Sequence, residues 1–216
     1  MEFTEKKIVQ VFSELAEANR ILAGITSLMD RQPPICWMIT SAAWGEGKTT
    51  LTAGLGMLAA RIGDKRVLAI DMNWYSPGLH PCFGLTPAWD LQQYDQDKNL
   101  IERIRPSGIH HLDILTAPAL KEGGENSGAE YAGLARDILH QARQLYDVLL
   151  VDTASVFPAN RRMTDPVVIG SACDATIMVV LTGVTPRQQV KQAQVRLESS
   201  GARVAGVVVN NWKSRM

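Results

Sequence analysis

Ile35-Cys36-Trp37-Met38-Ile39-Thr40-Ser41-Ala42-Ala43-Trp44-Gly45-Glu46-Gly47-Lys48-Thr49-Thr50 is the stretch on which the fold turns. Ile35 to Thr40 is a short apolar run, Ser41 to Lys48 is small and glycine-rich, and Thr49 to Arg61 has the Ala/Leu/Gly composition of a helix. The order strand, loop, helix presents backbone N–H groups at a helix N-terminus, where partial positive charge favours an anion. Gly47, Lys48 and Thr49 match the last positions of a Walker A phosphate loop, and Ala42 stands where its first glycine is usual. Glycines at 45 and 47 allow torsions and close approaches that side chains would block. Lys48 supplies a point charge for the β and γ phosphates, and the Thr49 hydroxyl suits magnesium. A small-residue turn with a surface lysine is the plain alternative, and the flanking strand and helix weigh against it.

Working outward, Arg66 to Asp71 is a second apolar run ending in a carboxylate, and Val148-Leu149-Leu150-Val151-Asp152 is a third. Further strands are expected at Leu112 to Thr116, Thr176 to Leu181 and Val204 to Asn210, with helices at Tyr131 to Leu145 and Pro186 to Ser199. Alternating strands and helices predict an α/β P-loop NTPase fold, a mainly parallel sheet with helices on both faces. Ligands of such sheets bind at the carboxyl ends of the strands. That rule would bring Asp71 and Asp152 to the edge that carries Lys48. Asp152 is the Walker B candidate, sharing magnesium with Thr49 partly through water, and Asp71 is the candidate general base. Either carboxylate could instead cap a helix or turn.

Residues 1–32 read as an amphipathic helix packed on or beside a P-loop domain spanning 33–216, because Ile8, Val11, Leu15, Ala18, Leu22, Ile25 and Met29 recur at spacings of three and four. Pro33 and Pro34 end it. Asn73 to Leu100 and Ala117 to Gly128 read as loops with short helical pieces. His110 and His111 are expected on a strand, facing opposite ways. Trp74 and Tyr75 are expected to pack under a loop. Lys plus Arg and Asp plus Glu each number 22 in 216 residues, so no global field draws nucleic acid or an anionic membrane. Cys36, Cys82 and Cys173, distant in sequence and odd in number, read as buried fillers in a reducing compartment. The absence of a signal peptide or apolar span gives a cytoplasmic expectation.

These pieces resemble the bacterial tyrosine kinases (BY-kinases) of exopolysaccharide and capsule synthesis, within the MinD/ParA-like P-loop ATPases. Trp44 to Thr50 parallels that family's phosphate loop, and Asp71-Met72-Asn73-Trp74-Tyr75-Ser76-Pro77-Gly78-Leu79-His80, leading on to Phe83-Gly84-Leu85, parallels its Walker A′ motif. The resemblance implies ATP and Mg2+ as cofactors. It implies Lys48, Asp71 and Asp152 as catalytic residues and Gly45, Glu46, Gly47, Lys48, Thr49, Thr50 and the adenine-contacting Asn210 as nucleotide ligands. It also implies a membrane chain-length or co-polymerase partner that would recruit the chain to the inner face of the membrane, and a homo-oligomer, with no nucleic acid. Departures are Asn73 for the second A′ aspartate, Tyr75 for an arginine, Ala23 in the ring-assembly motif after Glu17 and Arg20, and no tyrosine after Tyr146. Two other functions stay open: a nucleotide-gated regulatory module with little or no hydrolysis, favoured by Asn73, and a MinD/ParA-like positioning ATPase, disfavoured by Ala43.

Overall fold

A computed structural model of the chain describes residues 16–27, 32–62, 64–87, 89–119, 128–157 and 164–211. Helix α1 covers Ala16–Ser27 and is followed by β1, Ile35–Ser41, α2, Lys48–Arg61, and β2, Val67–Asp71. After β2 come short helices α3, Leu79–Cys82, and α4, Leu91–Asp97, a 3-10 turn at Ile101–Arg103, and strand β3, Arg105–Ile109. Strand β4 is Leu112–Leu115, α5 is Gly128–Leu145, β5 is Val148–Asp152 and α6 is Pro166–Gly170. The chain then forms β6, Ala175–Leu181, α7, Arg187–Ser199, and β7, Val204–Asn210. The seven strands make one sheet in the order β3-β4-β2-β5-β1-β6-β7. Every neighbouring pair is parallel except β3 with β4.

The expected α/β P-loop architecture is borne out, and the two faces of the sheet carry separate helical layers. Ala18, Leu22 and Ile25 of α1 and Leu51, Leu55 and Leu58 of α2 share one core with Trp37, Ile39 and Ala69. Ile138 and Ala142 of α5, Ile169 of α6 and Leu197 of α7 share the other with Met38, Leu68 and Leu149. Strands β1, β2 and β5 are buried at every residue, which is why they read as continuous apolar runs rather than alternations. Edge strand β7 does alternate, exposing Val207 and Val209. Helix α2 has little amphipathic pattern because it is enclosed by the sheet and α1, and residues 51–60 are all buried.

One expectation is corrected, and two features appear that the sequence did not show. Arg105–Ile109 forms an antiparallel edge strand that the sequence hides: Pro106 cannot donate to a ladder and Gly108 weakens a strand, both tolerable only at an edge. His110 and His111 therefore occupy the β3–β4 turn, not a strand, with His111 at φ 63° and the two ring centroids 3.8 Å apart. The distance in sequence between Cys36 and Cys173 does not persist in space, since their Sγ atoms lie 3.5 Å apart as free thiols. Residues 1–15 and 28–31, where the longer N-terminal helix was expected, lie outside the described residues.

The fit between α6 and the sheet gives a stability prediction. A Cβ on buried Gly170 would come within 2.9 Å of both Ala202 Cβ and Met38 Cε. Gly170→Ala should cost about 1–3 kcal/mol through overpacking. A urea midpoint equal to that of the wild type would count against this.

Candidate active site

The site is built on the carboxyl ends of β1, β2 and β5. In the parallel register Asp71 of β2 lies opposite Asp152 of β5, and Ile39 of β1 pairs with Asp152. The two carboxylates are thus neighbours beside the loop that leaves β1. Gly45 and Gly47 adopt φ 75° and 95°, the left-handed conformation for which glycine is suited. Gly47 precedes the first residue of α2, so the loop delivers its N–H groups at a helix N-terminus. The resulting cleft, about 290 Å³, has Trp44, Gly45, Gly47, Lys48, Thr49 and Thr50 on one wall. Asn73 and Ser76 of the β2–α3 segment and Ala154 and Ser155 after β5 complete it.

Lys48 is buried, and its Nζ donates to Ser41 Oγ at 3.1 Å. Burial lowers its pKa, opposed by the charges of Asp152 and Glu46. Thr49 Oγ1 donates to Asp152 Oδ2 at 2.6 Å, while Asp152 Oδ1 is buried without a hydrogen-bond partner. Burial raises the Asp152 pKa, opposed by the Thr49 bond, by Lys48 and by the Thr153 N–H. Asp71 is also buried; burial and the neighbouring Asp152 charge raise its pKa against three opposing backbone bonds. Its Oδ1 accepts from Asn73 N–H at 3.0 Å, and its Oδ2 accepts from Gly78 N–H and Leu79 N–H at 3.1 and 3.0 Å. Asp71 thereby shapes the loop carrying Asn73 and Ser76 into the cleft.

Magnesium fits this donor set. Asp152 Oδ1 is an orphaned buried oxygen beside a threonine hydroxyl, and a hard cation that keeps several waters needs only one or two carboxylates plus phosphate oxygens. No group of three His, Cys, Asp or Glu side chains gathers at one point among the described residues. That pattern does not suit an all-protein cage and does suit a metal delivered with phosphates.

Two expected ligands are turned elsewhere. Glu46 is fully buried, and its carboxylate accepts from Ala43 N–H at 2.6 Å, from Leu181 N–H at 3.0 Å and from the Thr185 hydroxyl. Asn210 Nδ2 donates to the Glu46 carbonyl at 3.0 Å, in the space that a Cβ on Gly47 would need. Neither side chain lines the cleft; Asp71 and Asp152 are not among its lining residues either, but bond to Asn73 and Thr49, which are. Trp74, by contrast, packs as expected: its Nε1 donates to Asp71 O at 3.0 Å and its ring meets Tyr131 edge-on. Tyr75 does not pack under the loop. It is 47% exposed, edge-on to Trp44, itself 55% exposed, with ring centroids 6.4 Å apart. Sequence reasoning missed Ser41, Ser76, Ala154 and Ser155; for the last two, their place just beyond the Asp152 strand end was the available signal.

A sequence model of the CobQ/CobB/MinD/ParA nucleotide binding domain matches residues 37–216. The chain belongs to that family. The chain is 29% identical over 178 residues to the tyrosine-protein kinase YwqD of Bacillus subtilis, covering 82% of this chain and 72% of the relative. It is 25% identical over 217 residues to the tyrosine-protein kinase CpsD of Streptococcus pneumoniae, covering 97% and 89%. The kinase domain of the Escherichia coli tyrosine kinase ETK superposes with a TM-score of 0.73 at 24% identity, covering 88% of this chain and 72% of that one, which shows a shared fold. The resemblance to bacterial tyrosine kinases within the MinD/ParA-like group is therefore borne out. Among the described residues no helix is long and apolar enough to cross a membrane.

Proposed function

We propose that the chain binds Mg-ATP in this cleft and transfers the γ-phosphoryl group to a tyrosine, as the kinase component of an exopolysaccharide system. The observation that carries the reading is the Thr49 to Asp152 hydrogen bond beside buried Lys48, with the other Asp152 oxygen buried and without a hydrogen-bond partner. Phosphoryl transfer needs positioning and charge stabilisation more than covalent help from the protein. Backbone N–H groups at Gly45 and Gly47 hold phosphate oxygens, and Lys48 balances charge on the β and γ groups. Thr49 Oγ1 and Asp152 would hold magnesium, partly through water. The metal, when bound, offsets negative charge on the phosphates. Asp71 is the proposed general base, its raised pKa placing it nearer neutrality than an ordinary carboxylate. A membrane chain-length or co-polymerase protein is the proposed partner, which would recruit the chain to the inner face of the membrane.

The proposed acceptor within the chain is Tyr75. Of the four tyrosines, Tyr94 and Tyr131 are buried, and Tyr146 donates its hydroxyl to Asp113 at 2.9 Å. Tyr75 alone is exposed, and it lies between two residues that line the cleft. With γ-labelled ATP and magnesium, label is expected on tyrosine and should fall at least tenfold in Tyr75→Phe. Label undiminished in that variant excludes Tyr75 as the acceptor. Phosphate release with no protein label would make the chain an ATPase. ATP binding with neither product would favour the nucleotide-gated module, which Asn73 supports by lacking the charge of a second A′ aspartate.

A further inference from the structure

We infer that Glu46 is a positioning residue for the phosphate loop, and that Thr185, which is not among the residues lining the cleft, controls the site through it. The two oxygens of this one carboxylate join the phosphate loop to the turn that follows β6. One binds Ala43 N–H inside the loop, and the other receives Leu181 N–H at the end of β6 and the Thr185 hydroxyl just before α7. Leu181 and Thr185 are the two ends of a single turn, closed by Thr185 N–H donating to Leu181 O at 3.3 Å. The main chain of Glu46 is held from the other side by Asn210 at the end of β7. Burying a carboxylate is costly unless donors surround it, so losing one of three disturbs the balance of the whole loop. Gly45 and Gly47 flank Glu46 directly, line the cleft and hold left-handed torsions. A shift at Glu46 is therefore a shift of the phosphate cradle.

Thr185 is the lever that separates positioning from folding. It is half-buried on a turn, whereas α7 is anchored in the core by Ala193 and Leu197, so loss of one hydroxyl leaves the fold's main contacts in place. The affinity consequence rests on the Mg-ATP reading; the loop consequence does not, and the test measures both. In the chain without nucleotide, Thr185→Val should accelerate hydrogen exchange of the Gly45 to Thr49 amides about tenfold, since a hydrogen bond to a buried carboxylate contributes on the order of that factor. Its unfolding midpoint should stay near that of the wild type. By calorimetry with Mg-ATP, Kd should rise about tenfold, Thr185→Ser should restore it, and Glu46→Gln/Thr185→Val should bind no more weakly than Glu46→Gln alone. Turnover at saturating ATP should change less than twofold in Thr185→Val, a split that general loss of folded protein would not produce. Unchanged loop exchange in Thr185→Val, or losses that multiply in the double variant, overturns the inference. Should the wild-type chain fail to bind Mg-ATP while the exchange result holds, the positioning role stands and the functional reading falls.

Discussion

Asp152→Asn should abolish turnover while leaving the magnesium-free chain at least as stable as the wild type. The amide can still accept the Thr49 hydroxyl, so the local geometry is kept, but the charge that would hold magnesium is lost. Loss of that electrostatic contribution, several kcal/mol, corresponds to a fall in rate on the order of 10³-fold or more. Stability should move the other way. In the folded chain Asp152 and Asp71 are adjacent and buried, and burial raises both pKa values above that of an exposed aspartate. An unfolded aspartate titrates near about 3.9, so between that value and the raised native one the folded chain holds more protons, and stability falls as pH rises. The magnesium-free wild type should accordingly melt lower at pH 8 than at pH 5. Asp152→Asn removes one of the two charges and should flatten that difference. Thermal melts at the two pH values, with and without Mg-ATP, decide it: only the wild type should regain stability from the ligand at pH 8. A variant that keeps wild-type turnover would remove Asp152 from the chemistry.

The second large effect is expected at Asp71. Both of its oxygens accept backbone N–H groups, from Asn73 on one side and from Gly78 and Leu79 on the other. An asparagine offers one acceptor and one donor, so its NH2 must face at least one of those N–H groups. Asp71→Asn should therefore cut kcat by about a hundredfold or more through loss of the proposed base. It should also speed hydrogen exchange at Asn73, Gly78 and Leu79, because the segment loses acceptors that now hold it. Turnover that survives while those amides loosen would make Asp71 a scaffold of the loop and not the base. A variant with wild-type exchange and no turnover would isolate the proton-transfer role.

Val148–Asp152 was legible because it is buried on both faces and so reads as an unbroken apolar run; Val204–Asn210, an edge strand that alternates, also begins and ends where its residues imply. The hairpin arm Arg105–Ile109 was not, since an edge strand with a proline and a glycine carries neither apolar run nor alternation. The segment from Asn73 to Leu100 lacked a period because its helices are only four and seven residues long, too short for a 3.6-residue repeat to register. The phosphate loop was legible as chemistry, in Gly45, Gly47, Lys48 and Thr49. The work of its glutamate was not, although Glu46 stands in the middle of the same motif.

What could be read locally, then, was the order of the long helices and the buried strands, the two strand-end carboxylates and the glycine torsions of the loop, since each depends on neighbours a few residues away or on a burial pattern written locally. Only the tertiary structure decided that Asp71 stands beside Asp152, that Cys36 reaches Cys173, and that Tyr75 rather than Trp74 faces outward. It alone directed the Glu46 side chain to Leu181, 135 residues on, and brought Asn210 to the Glu46 carbonyl from 164 residues away. The reason is physical: a carboxylate's partner is whichever donor the folded sheet brings within about 3 Å, and strand order, not sequence spacing, sets that neighbour.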